Sequence, residues 1–234
     1  MTALPDKSKS GISAMFNSIA KNYDFLNHLL SLGIDKKWRK ILIRHIMKRE
    51  PKTALDIACG TGDISIALWK KGLKVSAIDI AEKMIDVARE KSGKIGAKIK
   101  FICASADSVP FEDCSFDLVT IGFGIRNFDI RGESLLEIRR VLKQGGELAI
   151  LEFATPKNRL WRWIFKSYFT KVVPIIGGII SKKRYAYSYL PVSVDSFPQY
   201  EEFASELEHF GFKDVQFITL SGGVAILYTG KKID

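Results

Sequence analysis

The chain is predicted to be an α/β protein with a Rossmann-like, mostly parallel, seven-stranded sheet that closes on a C-terminal antiparallel hairpin. Three observations predict this. Apolar runs at 54–59, 74–80, 99–104, 117–123 and 146–153 alternate with helical periods at about 63–71, 82–92 and 132–142, and β–α alternation is the signature of parallel strands with helices on both faces. The last two runs, 214–220 and 224–230, are separated by little more than Ser221-Gly222-Gly223. That gap is too short for a crossover, so the two strands form a hairpin. A hydrophobic content of 47% over 234 residues is enough for one sizeable core, so residues 1–234 are expected to form a single domain.

Residues 11–49 read as two or three helices, a cap over 1–50 that precedes the first strand. That strand, 54–59, runs directly into Gly60-Thr61-Gly62 and then a helix start. The second strand carries Asp79 near its end, seventeen residues after Gly62. The third and fourth strands bracket the turn-like "ASADSVPFEDC". Residues 157–195, between strands five and six, form a helical insertion. Cap and insertion both reach the carboxyl ends of the strands, where open α/β sheets bind their ligands.

Glycines at 60 and 62 permit unusual backbone angles and let a ligand approach the main chain. A dinucleotide fingerprint would continue to a third glycine, but Ser65 stands there. No Lys-Ser/Thr pair follows, so a Walker loop is excluded. A carboxylate at Asp79 can accept hydrogen bonds from both hydroxyls of a ribose. That suits NAD and S-adenosylmethionine equally.

The start of the chain lacks an apolar h-region, so no signal peptide is expected. No window is long and apolar enough to span a bilayer. Cys59, Cys103 and Cys114 have no CxxC spacing and read as reduced thiols of a cytoplasmic protein. The net charge is +10, and eight of those charges fall between Glu152 and Asp195, an interval without acids. The same interval holds Trp161, Trp163, Phe165, Tyr168 and Phe169. A basic aromatic patch suits nucleic acid or an anionic membrane surface, or is a solvated face over an ordinary core.

An open parallel sheet ending in an antiparallel hairpin is similar to the class I methyltransferases, and "DIACGTG", with Asp56, Gly60 and Gly62, resembles their strand-one motif. "ASADSVPFEDCSFDLV" resembles their adenine-binding turn, with Asp107 or Ser105 as partner of the adenine amino group. Two longer stretches narrow the match: "MFNSIAKNYDFLNHLLSLGIDKKWR" and "FGIRNFDIRGESLLEIRRVLKQGGELAILEFATP". With "YAYSYLPVSVDSFPQ" they resemble the ubiquinone/menaquinone biosynthesis C-methyltransferase family over nearly the whole chain. The resemblance implies S-adenosylmethionine as methyl donor, no metal, and a polyprenyl hydroquinone ring carbon as acceptor. "TIGFGIRN" looks closer to menaquinone-only members, which favours demethylmenaquinol. The alternatives are another small molecule, such as a sterol or phenol, and RNA. No N-P-P-Y-type tetrapeptide follows the fourth strand, so nucleic acid is not expected. A homodimer is left open.

Thr61, Asp79, Ser105 and Ala106 match cofactor positions of the family. Three departures stand out: Ser105 replaces the usual Asn or Asp, Gly122 replaces a serine of some members, and His28 and Asp35 stand where Asp and His are common. A hydroquinone becomes a strong carbon nucleophile when a ring hydroxyl loses its proton, so a base or a phenolate-stabilising cation is useful. Arg126 is the candidate cation, or a positioner of water, with Asn127 orienting it; a salt bridge to Asp129 is the structural alternative. Tyr23 and Asp24 sit between the helical N-terminal segments as a lid at the substrate site, and Asp24 is a base or a helix N-cap. His28 is a proton acceptor or a packing residue. Tyr187, Tyr189 and Ser193 line a quinone pocket, or the tyrosines form one face of a strand-like loop. Glu152 is a polar wall or an ion-pair partner. The insertion suits a place at the membrane interface, its charges meeting anionic headgroups, or it lines the tunnel of the polyprenyl tail.

Overall fold

The computed structural model describes residues 8–181 and 184–233. Five parallel strands come first: β1 (Thr53–Ile57), β2 (Lys74–Asp79), β3 (Ile99–Cys103), β4 (Phe116–Gly122) and β5 (Leu142–Phe153). The hairpin β6 (Phe212–Leu220) and β7 (Ala225–Lys232) completes a seven-stranded sheet of order β3-β2-β1-β4-β5-β7-β6. β7 is antiparallel to both neighbours. The order reverses between β1 and β4, and it is at such a switch point that the loops part to admit a ligand.

Ala54–Ile57 and Leu118–Ile121 are fully buried runs, as expected of strands covered on both faces. β1 ends two residues earlier than the sequence suggests because Ala58 turns to φ 53°. β5 begins four residues earlier than expected. Its register against β4 shifts between Phe116 and Leu118, and that irregularity absorbs Gly145-Gly146. α4 (Asp63–Trp69), α5 (Glu82–Gly93) and α6 (Arg131–Val141) connect the strands as expected. α10 (Glu201–His209) was not foreseen. It buries only Phe203 and Leu207, too narrow a stripe to stand out as a helical period.

The cap is α1 (Lys9–Ile19), α2 (Tyr23–Leu30) and α3 (Ile34–Ile46). The insertion is α7 (Arg159–Ser167), a π-helical turn (Tyr168–Val172), α8 (Val173–Ser181) and α9 (Arg184–Asp195). Ile12, Met15 and Leu26 of the cap share one apolar cluster with Phe165, Phe169 and Tyr187 of the insertion. Tyr168 donates to the Leu30 carbonyl at 2.9 Å, and the Ser18 and Tyr185 hydroxyls lie 2.8 Å apart. Cap and insertion thus form one roof over the strand ends. The strand-like alternative for Tyr187 and Tyr189 is corrected: both lie on α9. Two residues apart on a helix point to different sides, yet both are buried, because α9 is enclosed on both flanks.

Candidate active site

Two cavities meet under this roof at the glycine turn. The smaller, about 70 Å³, runs along the ends of β2, β3 and β4. Gly60 at φ 54° and Gly62 at φ 80° make the turn. A Cβ on Gly62 would stand 3.1 Å from the Ala88 Cβ, so the turn also packs closely on α5. Asp79 accepts the Gly60 N–H on Oδ2 and the Ala81 N–H on Oδ1, both at 2.8 Å. Each oxygen keeps a further lone pair, and Asp79 lines the cavity. Burial raises the Asp79 carboxyl, against the N–H groups of Ala81, Gly60 and Ile80 that favour its ionised form.

Ser105, Ala106 and Asp107 form the far wall. Lys9 of α1 pairs with Asp107 Oδ2, so the cap closes over this end. Asp107 Oδ1 and Asn127 Oδ1 are buried without a hydrogen-bond partner among the described residues. Buried acceptors left bare are costly unless a ligand supplies donors. Two orphaned acceptors and a two-oxygen acid in one slot fit an adenosine, with donors on its amino group and its ribose. Asn127, expected beside Arg126, therefore lines the cofactor side. Asp56 sits beneath the turn. Its carboxylate accepts Ser65 Oγ at 2.5 Å and Thr120 Oγ1 at 2.8 Å, and burial pushes its carboxyl up to about 6. Those bonds tie β1, β4 and α4 together.

The larger cavity, about 350 Å³, opens from Gly60 and Thr61 toward the roof. One wall is apolar and aromatic. Phe123 and Phe153 have centroids 4.4 Å apart, and Phe165 and Phe169 stack at 4.6 Å. Tyr187 and Tyr189 add two buried hydroxyls without a hydrogen-bond partner among the described residues. Burial raises both phenols, so they are protonated donors near neutral pH.

The other wall is a chain of charges. Asp24 accepts from Thr61 and from Lys91 Nζ at 2.6 Å; Lys91 reaches Asp63 at 2.7 Å, and Asp63 meets Arg39 at 3.0 Å. Arg39 continues to Asp35 at 2.5 Å, and Asp35 lies 2.6 Å from His28 Nδ1. Asp24 is thus ion-paired in the first turn of α2, where Asn22 holds the N-cap position. The exchanged His28 and Asp35 compensate each other, since the acid and the imidazole are in contact. Lys91, Arg39 and Asp63 escaped notice in the sequence. Only Asp35–Arg39, spaced i,i+4 on α3, left a local signal.

Arg126 lies at the inner end. The expected partner Asp129 is replaced by Glu152: Arg126 Nη1 donates to Glu152 Oε1 at 2.7 Å and to the Phe123 carbonyl, and Nε donates to Ser193 Oγ at 3.3 Å. The side chains are 7% and 0% exposed. Ser193, expected on the pocket wall, anchors this guanidinium from α9.

Two lysines of the basic insertion form ion pairs within the protein, and one arginine is tied to backbone carbonyls. Lys157 pairs with Glu201 at 2.8 Å and Lys166 with Asp195 at 3.0 Å, while Arg162 donates to the Pro156 and Lys157 carbonyls. Arg159 and Lys171 have no ion-pair partner among the described residues. Lys182 and Lys183 lie outside the described residues. Among the described residues no helix is long and apolar enough to cross a membrane.

This sheet order, with an antiparallel seventh strand and a cavity at the glycine turn beside the β1–β4 switch point, is that of a class I S-adenosylmethionine-dependent methyltransferase. The fold is shared with an S-adenosylmethionine-dependent methyltransferase of Thermotoga maritima (TM-score 0.69, 19% identity, 94% of this chain and 98% of that one). The chain belongs to the ubiE/COQ5 methyltransferase family, which it matches over residues 2–232. It is 41% identical to the ubiquinone/menaquinone biosynthesis C-methyltransferase UbiE of Geotalea uraniireducens, over 99% of this chain and 100% of that protein. It is 42% identical to the demethylmenaquinone methyltransferase of Chlorobaculum tepidum, over 97% and 94%.

Proposed function

We propose that the protein transfers a methyl group from S-adenosylmethionine to a ring carbon of a polyprenyl hydroquinone, with demethylmenaquinol as the preferred acceptor, while docked on an anionic membrane surface. The observation that carries this reading is the larger cavity. It begins at Gly60 and Thr61, is walled by Phe123, Phe153 and Phe169, and is also lined by Leu32, Ile34, Trp161 and Ile164. An aromatic chamber with an apolar exit suits a flat ring whose tail leaves through the exit.

When bound, the cofactor supplies an electrophilic methyl group on a sulfonium. The protein holds the ring carbon against it and excludes water. Asp79, Asp107 and Asn127 hold the adenosine through its ribose hydroxyls and amino group. Tyr187 and Tyr189 donate to the ring oxygens, the pairing their unpartnered hydroxyls lack. Arg126, fixed by Glu152 and Ser193, sets a positive charge at the inner end, where phenolate character develops.

Leu32 is 77% exposed, and Leu160 and Trp163 are each 69% exposed. Leu32 lines the exit together with Ile164, and Leu160 and Trp163 stand exposed on the same helix as Ile164, α7. Arg159, Lys171 and the exposed Lys36 and Lys37 of α3 supply charge for anionic headgroups. The test of the acceptor is labelled-methyl transfer to reduced demethylmenaquinone, with the reduced ubiquinone precursor alongside. Faster transfer to the naphthoquinol supports the reading. Cofactor binding without transfer to either quinol overturns it.

A further inference from the structure

Asp24 and Arg126, the base and the cation that the sequence brings forward, are both held in ion pairs. Arg39 and Asp63 on the same wall are paired as well, Asp63 also with Lys91. The phenols of Tyr187 and Tyr189 are protonated donors. His28 differs: its Nδ1 lies 2.6 Å from Asp35 Oδ2, while its Nε2 has no protein partner among the described residues, and its ring lines the larger cavity. We propose that His28, oriented by Asp35, is the general base that takes the proton from the acceptor's ring hydroxyl. The proposal rests on the acceptor being a hydroquinone.

Asp35 is built to hold one imidazole tautomer. Its carboxylate is buried and accepts from Ser31 Oγ at 2.6 Å and Arg39 Nη2 at 2.5 Å as well as from His28. Burial raises the Asp35 carboxyl, but Ser31, Arg39 and His28 outweigh it and keep it below its ordinary value. An ionised Asp35 keeps the proton on Nδ1 and leaves the Nε2 lone pair free for the cavity. Gly33, at φ 73°, turns the chain between α2 and α3, and its N–H donates to the His28 carbonyl at 2.7 Å. That turn brings residues seven apart face to face. The charged groups around the imidazole are Asp24 on α2, Asp35 and Arg39 on α3, and Asp63 on α4.

The step balances without a further reagent. The hydroxyl O–H bond breaks, and the proton goes to Nε2. The pair left on oxygen drives the ring carbon onto the methyl group, and the carbon–sulfur bond breaks with its pair retained by sulfur. The ring carbon then loses its own hydrogen as a proton, which returns to the ring oxygen as aromaticity is restored and the hydroxyl is re-formed. One proton is released overall, and the partly exposed imidazole passes it to solvent.

The experiment compares His28→Asn and His28→Ala with the wild type on a short-tailed demethylnaphthohydroquinone, with cofactor affinity measured by calorimetry. His28→Asn keeps an N–H donor for Asp35 but has no basic nitrogen, so a merely structural link survives in it. Both variants are expected to lose about 10²–10⁴-fold in kcat, with KM and cofactor affinity near wild type. Added imidazole is expected to restore part of the His28→Ala rate and to leave the wild type unchanged. A His28→Asn rate within about threefold of wild type, or a loss in His28→Ala that imidazole leaves untouched while the cofactor still binds, overturns the base. A wild type inactive on every hydroquinone overturns the acceptor as well, and so separates the two failures.

Discussion

Glu152→Ala removes the carboxylate that neutralises Arg126 inside the protein. The pair is 2.7 Å long and almost free of solvent. Glu152 also accepts the Phe153 N–H at 2.8 Å and the Arg126 N–H at 3.3 Å. The variant leaves the guanidinium with hydrogen bonds to the Phe123 carbonyl and Ser193 Oγ and a place over the Phe153 ring, but without a described counter-charge, and leaves two amides without their acceptor. Breaking a buried pair from one side costs roughly 3–5 kcal/mol. For a chain of this length each kcal/mol moves Tm by roughly 2–4 °C, so a fall of about 6–20 °C is expected. Urea unfolding followed by circular dichroism measures it. Arg126→Met with Glu152→Leu is expected to recover most of the loss, because neither charge is then left alone. A Glu152→Ala loss below about 1 kcal/mol would refute the reasoning, since a buried guanidinium dependent on this acid cannot lose it so cheaply.

Asp56 gives a pH signature. Its carboxyl is raised from 3.8 to about 6 by burial, so between those values the folded chain holds a proton that the unfolded chain has lost. Its contribution therefore falls as pH rises through that window, by about 3 kcal/mol in total, and is flat above it. Asp56→Asn should remove this slope from stability–pH curves; a curve parallel to wild type contradicts it. Asp107→Ala removes the acid whose Oδ1 is bare and should weaken S-adenosylmethionine binding about 10–100-fold by calorimetry, as loss of a charge-assisted hydrogen bond does. Unchanged affinity would place the adenine elsewhere. Trp163→Glu should lower co-sedimentation with anionic vesicles by about tenfold or more while leaving the fold intact; equal binding would remove α7 from the membrane face.

Local signals carried the sheet. The apolar runs, the Gly60–Gly62 turn and the short Ser221–Gly223 link can be read one segment at a time, and each stands in the fold. α10 was invisible because only two of its side chains are buried deeply. Asp79 and Asp107 were legible because each ends a strand or opens a turn. The charged wall was not. Lys91 meets Asp24 across sixty-seven positions and Arg126 meets Glu152 across twenty-six, and no local pattern encodes such pairs. The same limit hid two ion pairs of the basic insertion. Lys157 and Lys166 look free in an acid-poor interval, but Glu201 and Asp195 lie just outside it and fold back to pair with them.

The most direct measurement follows a trideuterated methyl group from S-adenosylmethionine into reduced demethylmenaquinone and locates it in the product by tandem mass spectrometry. Label on a ring carbon is the predicted result. Label on a ring oxygen, or an unlabelled quinol recovered from protein that binds the cofactor, would contradict C-methylation of a hydroquinone.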